Sequence, residues 1–346
     1  MRGLGAGDAG PGSSPLLHVV SFSCDEPFVA EQATVPWDNA ITPLSRGPYR
    51  QENTFLATSR LILYREAFSV WTRVQGLSPP DMFGFAVPLR VGSKTHWWGA
   101  ALHEKGLPAT MPGGLHVEMS PGQQHLIALV DLGLFHDSMP DELRVAVEKA
   151  ACGHVLPASR SAVARLGTTF SALLDGAMAH PQAIHHPNAI RCMEQDLLAA
   201  FRRSLTVPLP TPRCVGRAVR QRGLQRAIEY LRAMDPGSVT VADLCTAACV
   251  TERTLQYAFR ETFGLSPLGF LQLRRYHATQ RDLLAGDGKS ASVKEIAQRN
   301  GFYEMGRFAV RYKALFGESP SATLNRHCDR IPRGILRPAE VGSREI

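Results

Sequence analysis

Apolar residues follow two different rhythms along this 346-residue chain. Ahead of residue 138 they come in short stretches separated by Gly and Pro: residues 61–64, 68–71, 82–87, 97–102, 113–119 and 125–130. Such stretches, bounded by turn residues, predict the strands of an antiparallel sandwich or barrel. From residue 140 the spacing turns helical. One helix starts at Asp141, a second covers residues 159–178, and a third covers 188–204 with Ile190, Met193, Leu197, Leu198 and Phe201 on one face. Beyond residue 223, Leu255, Phe259 and Phe263 recur every four residues, as do Phe308, Tyr312 and Phe316. Between these stripes, Leu268, Leu271, Leu273, Tyr276, Leu283 and Leu284 predict one helix from Pro267 to about Leu284, roughly 27 Å long.

The two stripes are copies of one longer pattern. Phe259-Arg260-Glu261-Thr262-Phe263-Gly264-Leu265-Ser266-Pro267 returns as Tyr312-Lys313-Ala314-Leu315-Phe316-Gly317-Glu318-Ser319-Pro320, an offset of 53 residues. Upstream, Leu244-Cys245 answers to Ile296-Ala297 and Cys249 to Gly301, at an offset of 52. A period of this size indicates a repeated supersecondary unit. Each copy reads as helix, tight turn, helix and glycine stop. Thr251 suits the N-cap of the second helix, Gly264 the left-handed C-cap, and Pro267 the first turn of the next helix. Opposite the first stripe stand Arg253, Gln256, Tyr257 and Arg260; the matching positions of the second copy are Met305, Gly306, Arg307, Val310 and Lys313. A helix-turn-helix lays this face of its second helix in the DNA major groove.

These residues resemble a known family. The segment from about Gly223 to Leu324 is similar to the tandem helix-turn-helix domain of the AraC/XylS transcription regulators. The second copy carries the likeness best, in Val293-Lys294-Glu295-Ile296-Ala297-Gln298-Arg299-Asn300-Gly301-Phe302, Arg307-Phe308 and the run from Tyr312 to Pro320. The first copy departs from the pattern at Cys249, where the turn commonly has glycine. Gly306 and Val310 occupy positions where the family often carries polar base-reading side chains. The resemblance implies two reading helices in successive major-groove segments, about 34 Å apart, often with some bending of the DNA. It also implies a cupin-like effector domain ahead of them, and helices that connect the two and mediate dimerisation.

Charge changes the picture in the same direction. Residues 211–330 hold 19 Lys+Arg against 11 Asp+Glu, whereas the first 210 hold 16 against 18. The basic excess behind the net charge of +7 therefore lies in the repeat-bearing part, as expected where phosphate contacts supply affinity. No apolar run approaches 18 residues, which excludes a membrane-spanning helix. Seven scattered cysteines fit reduced thiols in a cytoplasm, with Cys245 and Cys249 read as small buried residues of the first helix pair. His96, His103, His116 and His125 lack the close His-x-His spacing of a metal-binding cupin, and His180, His185 and His186 fall in a Pro-containing loop. Neither group calls for a metal or another cofactor.

The expected fold class is therefore α+β: an N-terminal cupin-like antiparallel β domain with following helices, and a C-terminal all-α tandem helix-turn-helix domain. Residues 1–15 are expected as a disordered start and 16–204 as a sensor and dimerisation domain, β-rich over 17–137 and helical over 140–204. A Pro-rich linker at 205–222, the DNA-binding domain at 223–326 and a tail at 327–346 complete the chain. Alternation along a strand points one of Trp97 and Trp98 inward, and Phe83, Phe85, Trp97 and Trp98 are the effector-binding candidates. The function expected is sequence-specific transcription regulation. Double-stranded DNA, a small-molecule effector, RNA polymerase for an activator, and a second copy of the chain are its partners. A cupin-like enzyme fused to a DNA-binding module and a ligand-independent DNA-bending protein are the competing classes.

Overall fold

The computed structural model describes residues 18–33, 37–92, 95–98, 100–101, 106–151, 154–180, 186–205, 215–286 and 292–325. The expected disordered start, the prolines of the expected linker and the expected tail lie outside these residues.

The first half opens with β1 (His18–Cys24), α1 (Pro27–Ala33), β2 (Asp38–Pro43), β3 (Gln51–Ala57), β4 (Leu61–Phe68), β5 (Thr72–Leu77) and β6 (Met82–Arg90). It continues with β7 (His96–Trp97), β8 (Ala100–Ala101), β9 (Leu107–Thr110), β10 (Gly114–Met119) and β11 (Gln124–Asp131). Helices α2 (Leu132–Asp137) and α3 (Asp141–Ala151), strand β12 (Val155–Leu156), and helices α4 (Arg160–Ala179) and α5 (Pro187–Ser204) follow. The strands form two antiparallel sheets, ordered β1-β3-β4-β11-β6-β9-β12 and β2-β5-β10-β7-β8.

Side-chain alternation sorts the first sheet into two cores. Leu61 and Leu63 of β4, Phe83, Phe85 and Val87 of β6, and Leu126, Ala128 and Val130 of β11 pack toward α4 and α5. Ile62, Tyr64, Ala86, Ile127 and Leu129 point the other way, toward Val74, Val117 and Met119 of the second sheet. Both faces of the large sheet are covered, which is why its central strands read as nearly continuous apolar runs. Two of the expected stretches are not strands. Residues 69–71 form the turn between β4 and β5, where Ser69 Oγ accepts from Arg50 N and donates to Pro48 O. The 97–102 stretch is broken at Trp98, whose φ of 49° turns the chain between two-residue strands, so inward–outward alternation does not apply to the Trp pair.

The second half is helical: α6 (Val215–Ala233), α7 (Val241–Ala248), α8 (Glu252–Phe263), α9 (Pro267–Ala285), α10 (Val293–Arg299), α11 (Met305–Phe316) and α12 (Pro320–Leu324). Helix α6 begins ahead of the Gly223 expected from the repeat. The repeated Phe-Gly-x-Ser-Pro is a stop followed by a start. Gly264 and Gly317 take φ of 67° and 79° at the ends of α8 and α11; Ser266 and Ser319 then cap α9 and α12, with Pro267 and Pro320 in their first turns. Capping boxes open α7 (Thr240 with Asp243) and α10 (Ser292 with Glu295). Helices α7 and α8 pack with α6 and the front of α9 around Leu244, Leu255, Phe259, Phe263 and Phe270. Helices α10 and α11 pack on the rear of α9 around Tyr276, Leu283, Ile296, Phe308 and Tyr312. Asn300 pins the second turn to the shared helix by donating to Asp282 Oδ2 at 2.7 Å.

Cys249 sits in the left-handed region at φ 52°, matching Gly301 at φ 83° in the second copy. Its side chain is exposed and Cys245 is half-buried, so neither thiol is the buried core residue expected. A β-carbon in this region costs about 1–2 kcal/mol. Cys249→Gly is therefore expected to stabilise the domain by about 1 kcal/mol, read as a raised denaturant midpoint at constant slope.

Candidate nucleic-acid interface and sensor cavity

The expected reading face of α8 is open. Arg253, Tyr257 and Arg260 are exposed, with Tyr257 at 53%, and Gln256 is half-buried beside Glu252. The Arg253 guanidinium lies over the Tyr257 ring, 5.8 Å from its centroid, so two side chains one turn apart form one surface. On α11, Arg307 and Lys313 are exposed and Val310 is 72% exposed, while a β-carbon at Gly306 would meet nothing within 4 Å. Met305 is turned partly into the second core. Arg307 pairs with Glu304 at 3.2 Å, an acidic N-cap that makes no side-chain capping bond. Tyr303, 76% exposed just ahead of α11, joins this surface; the sequence places it in a turn but carries no sign of its exposure.

The far end of α8 is occupied instead by the smaller sheet. Gln75 Nε2 of β5 donates to the Phe263 carbonyl at 2.6 Å, and Leu77 enters the first helical core. Gly114 of β10 lies so close to Phe263 that a β-carbon there would stand 2.4 Å from the ring, and the His116 ring covers Gly264. Arg232 donates to the Ser78 carbonyl, and Arg274 and Arg281 meet Asp38 of β2. Deeper in the contact, His277 Nδ1 meets Glu31 Oε2 at 3.1 Å while Glu31 Oε1 accepts from Ile41 N at 2.6 Å. Burial lowers the pKa values of Arg232 and Arg274 from the usual arginine value, with Asp38 opposing in both cases.

Burial, and next the charge of Arg73, hold His116 below the ordinary imidazole pKa, against the pull of Glu118. The folded chain therefore favours its neutral form. This contribution to stability is complete above the unfolded value near 6.5 and is lost as pH falls through the lower folded value. The thermal midpoint of the wild type is expected to drop more between pH 7.5 and 5.5 than that of His116→Gln.

The other face of the same sheet looks into a cavity. Ile41 of β2, Val74 of β5 and Val117 of β10 form one wall; Tyr64, Ala86 and Ile127 of the larger sheet form the opposite one. Trp97 and Trp98 both line it. Phe83 does not, because it shares the outer face of its strand and stacks on Phe135 at 4.4 Å; the Phe85 ring, bordering the cavity, stacks on Phe201 at 4.1 Å. A polar chain runs beside the cavity and reaches its lining at Gln51 and Glu66. Tyr49 Oη donates to Gln51 Oε1 at 2.7 Å, Gln51 Nε2 donates to Glu66 Oε2 at 3.1 Å, and His125 Nε2 meets Glu66 Oε1 at 2.8 Å. Burial first, then Glu66, raise the Tyr64 phenol well above its ordinary pKa. His125 faces Glu66 across β11 and β4, whereas His116 lies on the helical side of β10, so these histidines do not converge.

Two helix-turn-helix units with exposed second helices, strung on one shared helix behind an antiparallel β domain, define the class of protein. A family profile described as a helix-turn-helix domain matches residues 244–326. The chain is 35% identical over 133 residues to a probable thc operon regulatory protein of Rhodococcus erythropolis, covering 38% of this chain and 39% of that protein. It is 28% identical over 103 residues to XylDLEGF operon transcriptional activator 2 of Pseudomonas putida, 30% of this chain and 66% of that one. A solved probable AraC family transcriptional regulator from Rhodopseudomonas palustris is 30% identical over 30% of this chain and 96% of its own, with a TM-score of 0.28. Over its helix-turn-helix segment the chain is similar to regulators of the AraC/XylS type. It spans about two-fifths of the Rhodococcus relative and about two-thirds of the Pseudomonas one. No helix among the described residues is long and apolar enough to cross a membrane.

Proposed function

We propose that the protein is a cytoplasmic, sequence-specific DNA-binding transcription regulator, controlled by a small molecule held between the two sheets of a cupin-like N-terminal domain. The observation that carries this reading is the division of labour in the smaller sheet. Its inner face lines the cavity; its outer face grips the end of α8 and leaves both reading faces uncovered. A ligand that shifts β2, β5 or β10 changes the support of the first reading helix. Such a shift is the differential interaction that any ligand-driven change requires.

In this reading Arg253, Gln256, Tyr257 and Arg307 face base edges, and Arg260 and Lys313 face phosphates. Helix α9 has 19 residues, about 28 Å at 1.5 Å per residue, which suits units set one DNA turn apart. Selection of bound DNA from a random pool with the full chain tests the proposal: a recovered motif of two half-elements about ten base pairs apart is expected, and recovery of no motif overturns it. The length of the footprint reports pairing with a second copy, and transcription from the recovered site reports RNA polymerase recruitment. Lys313→Ala is expected to weaken all sites alike and to flatten the salt dependence by about one unit of slope.

A further inference from the structure

The cavity's own hydrogen-bonding balance points to the chemistry of its ligand, an inference that rests on reading the cavity as the sensor site. Two indoles in its wall are more than nine-tenths buried, Trp97 at 6% and Trp37 at 7% exposure. The Trp97 Nε1–H has no acceptor among the described residues, and the Trp37 Nε1–H, close to the Tyr64 hydroxyl, reaches no acceptor in hydrogen-bond geometry. Indole nitrogens donate and cannot accept, and buried donors in proteins are nearly always paired. The Trp97 Nε1–H is therefore an orphaned donor in the cavity wall, with the Trp37 Nε1–H beside the Tyr64 hydroxyl as a second indole donor.

The charges in the wall narrow the class. Glu66 is 7% exposed, and among the described residues no Lys or Arg lines the cavity. An anionic ligand would meet a carboxylate and find no counter-charge, a burial that apolar surroundings do not tolerate. A cation would leave both indole donors unanswered and would have to compete for a carboxylate whose two oxygens are engaged by Gln51 and His125. Apart from Asn39, Gln51 and Thr110 the rest of the lining is apolar, with the flat rings of Tyr64, Phe68 and Trp98 around the two indoles.

We propose that the cavity takes a neutral aromatic molecule bearing a hydrogen-bond acceptor such as a ketone or amide carbonyl, held by the indole N–H groups of Trp97 and Trp37. Space open to the centre of a water molecule is about 30 Å³, enough for about one water, so uptake moves one wall. Trp98 is that wall. It is half-buried, its backbone sits in the left-handed region at φ 49°, and its ring stacks at 4.2 Å on His154, which is itself at φ 66°. Residues held in this region are strained unless their surroundings fix them. His154 in turn lines a cleft against Leu224 and Ile228 of α6 and Ala258 of α8. A ligand entering past Trp98 therefore presses toward the first helix-turn-helix unit.

Calorimetric titration of the full chain with acetophenone, benzoate, benzylamine and toluene tests this. Acetophenone is expected to bind best, toluene more weakly, and the two ions not at all. Trp97→Phe keeps a ring and removes the donor, so acetophenone affinity is expected to fall roughly 3- to 10-fold with toluene unchanged. Trp37→Phe makes the same test from the other side should Trp97→Phe fold poorly. Glu66→Gln is expected to admit benzoate. If benzoate or benzylammonium binds the wild type more tightly than acetophenone, or if the indole variants weaken toluene and acetophenone equally, the ligand class is overturned while the cavity stands as a sensor site. Absence of binding by all four compounds overturns both.

Discussion

Arg253→Ala is expected to erase the preference for one base pair in the selected DNA site while leaving binding to unrelated DNA nearly as strong as before. A guanidinium that forks onto a guanine edge discriminates by about 1–3 kcal/mol, roughly 5- to 150-fold. Arg253 has the placement this needs: it is exposed on the outer face of α8 and steadied by the Tyr257 ring, with no acidic partner among the described residues. Arg307 on α11 is held differently, paired with Glu304, which DNA binding has to displace. The loss should therefore be larger for Arg253→Ala than for Arg307→Ala. Repeating the pool selection with each variant reads this position by position. An unchanged motif and affinity for Arg253→Ala would remove that residue from the base-reading set.

Inequality between the two reading helices was legible in the sequence because it is local. The polar face of Arg253, Gln256 and Tyr257 and the small, apolar one of Gly306 and Val310 need only the helical period to appear. The same holds for the glycine stops and serine caps, which depend on neighbours in the chain. In the β domain, β4, β6, β10 and β11 announced themselves because one or both faces are apolar. Strand β3 did not: its Gln51, Glu52, Asn53 and Thr54 form no apolar stretch, yet Gln51 and Asn53 are buried in the polar chain beside the cavity. Glu66 and His125 were obscure for the same reason, since their pairing depends on β4 and β11 lying side by side. Phe83 lies off the cavity, packed on Phe135 and Phe201. A strand buried on both sides gives no sign of which side holds the cavity. Contacts such as Gln75 with Phe263 or Glu31 with His277 join residues far apart in the chain, and no periodicity encodes them.

That long-range contact makes the second prediction. Gly114→Val is expected to part the smaller sheet from the first helix-turn-helix unit while both stay folded. A β-carbon at Gly114 would stand 2.4 Å from both the Phe263 ring and the Thr262 methyl. The Phe263 ring cannot retreat, because it is fully buried and packed against Phe270 at 4.2 Å and Phe259 at 5.0 Å. Overpacking of this kind costs about 1–3 kcal/mol, and parting the sheet from the helix relieves it. The separation gives up the Gln75 bond to Phe263, the seat of Leu77 in the first helical core and the contacts of Arg232 with Ser78, Arg274 with Asp38 and His277 with Glu31, and leaves the rest of both cores in place. Calorimetry of the wild type is expected to show the β domain and the helical domain melting together, and that of the variant to show two separate transitions. DNA affinity should survive, since the reading faces lie on the opposite side of α8 from the contact. Any effect of a cavity ligand on DNA binding should shrink toward none, because the sheet would no longer touch the helix it positions. A variant that melts in two steps yet keeps the full ligand effect would show that the signal travels by another route, with the Trp98–His154 stack the next place to look.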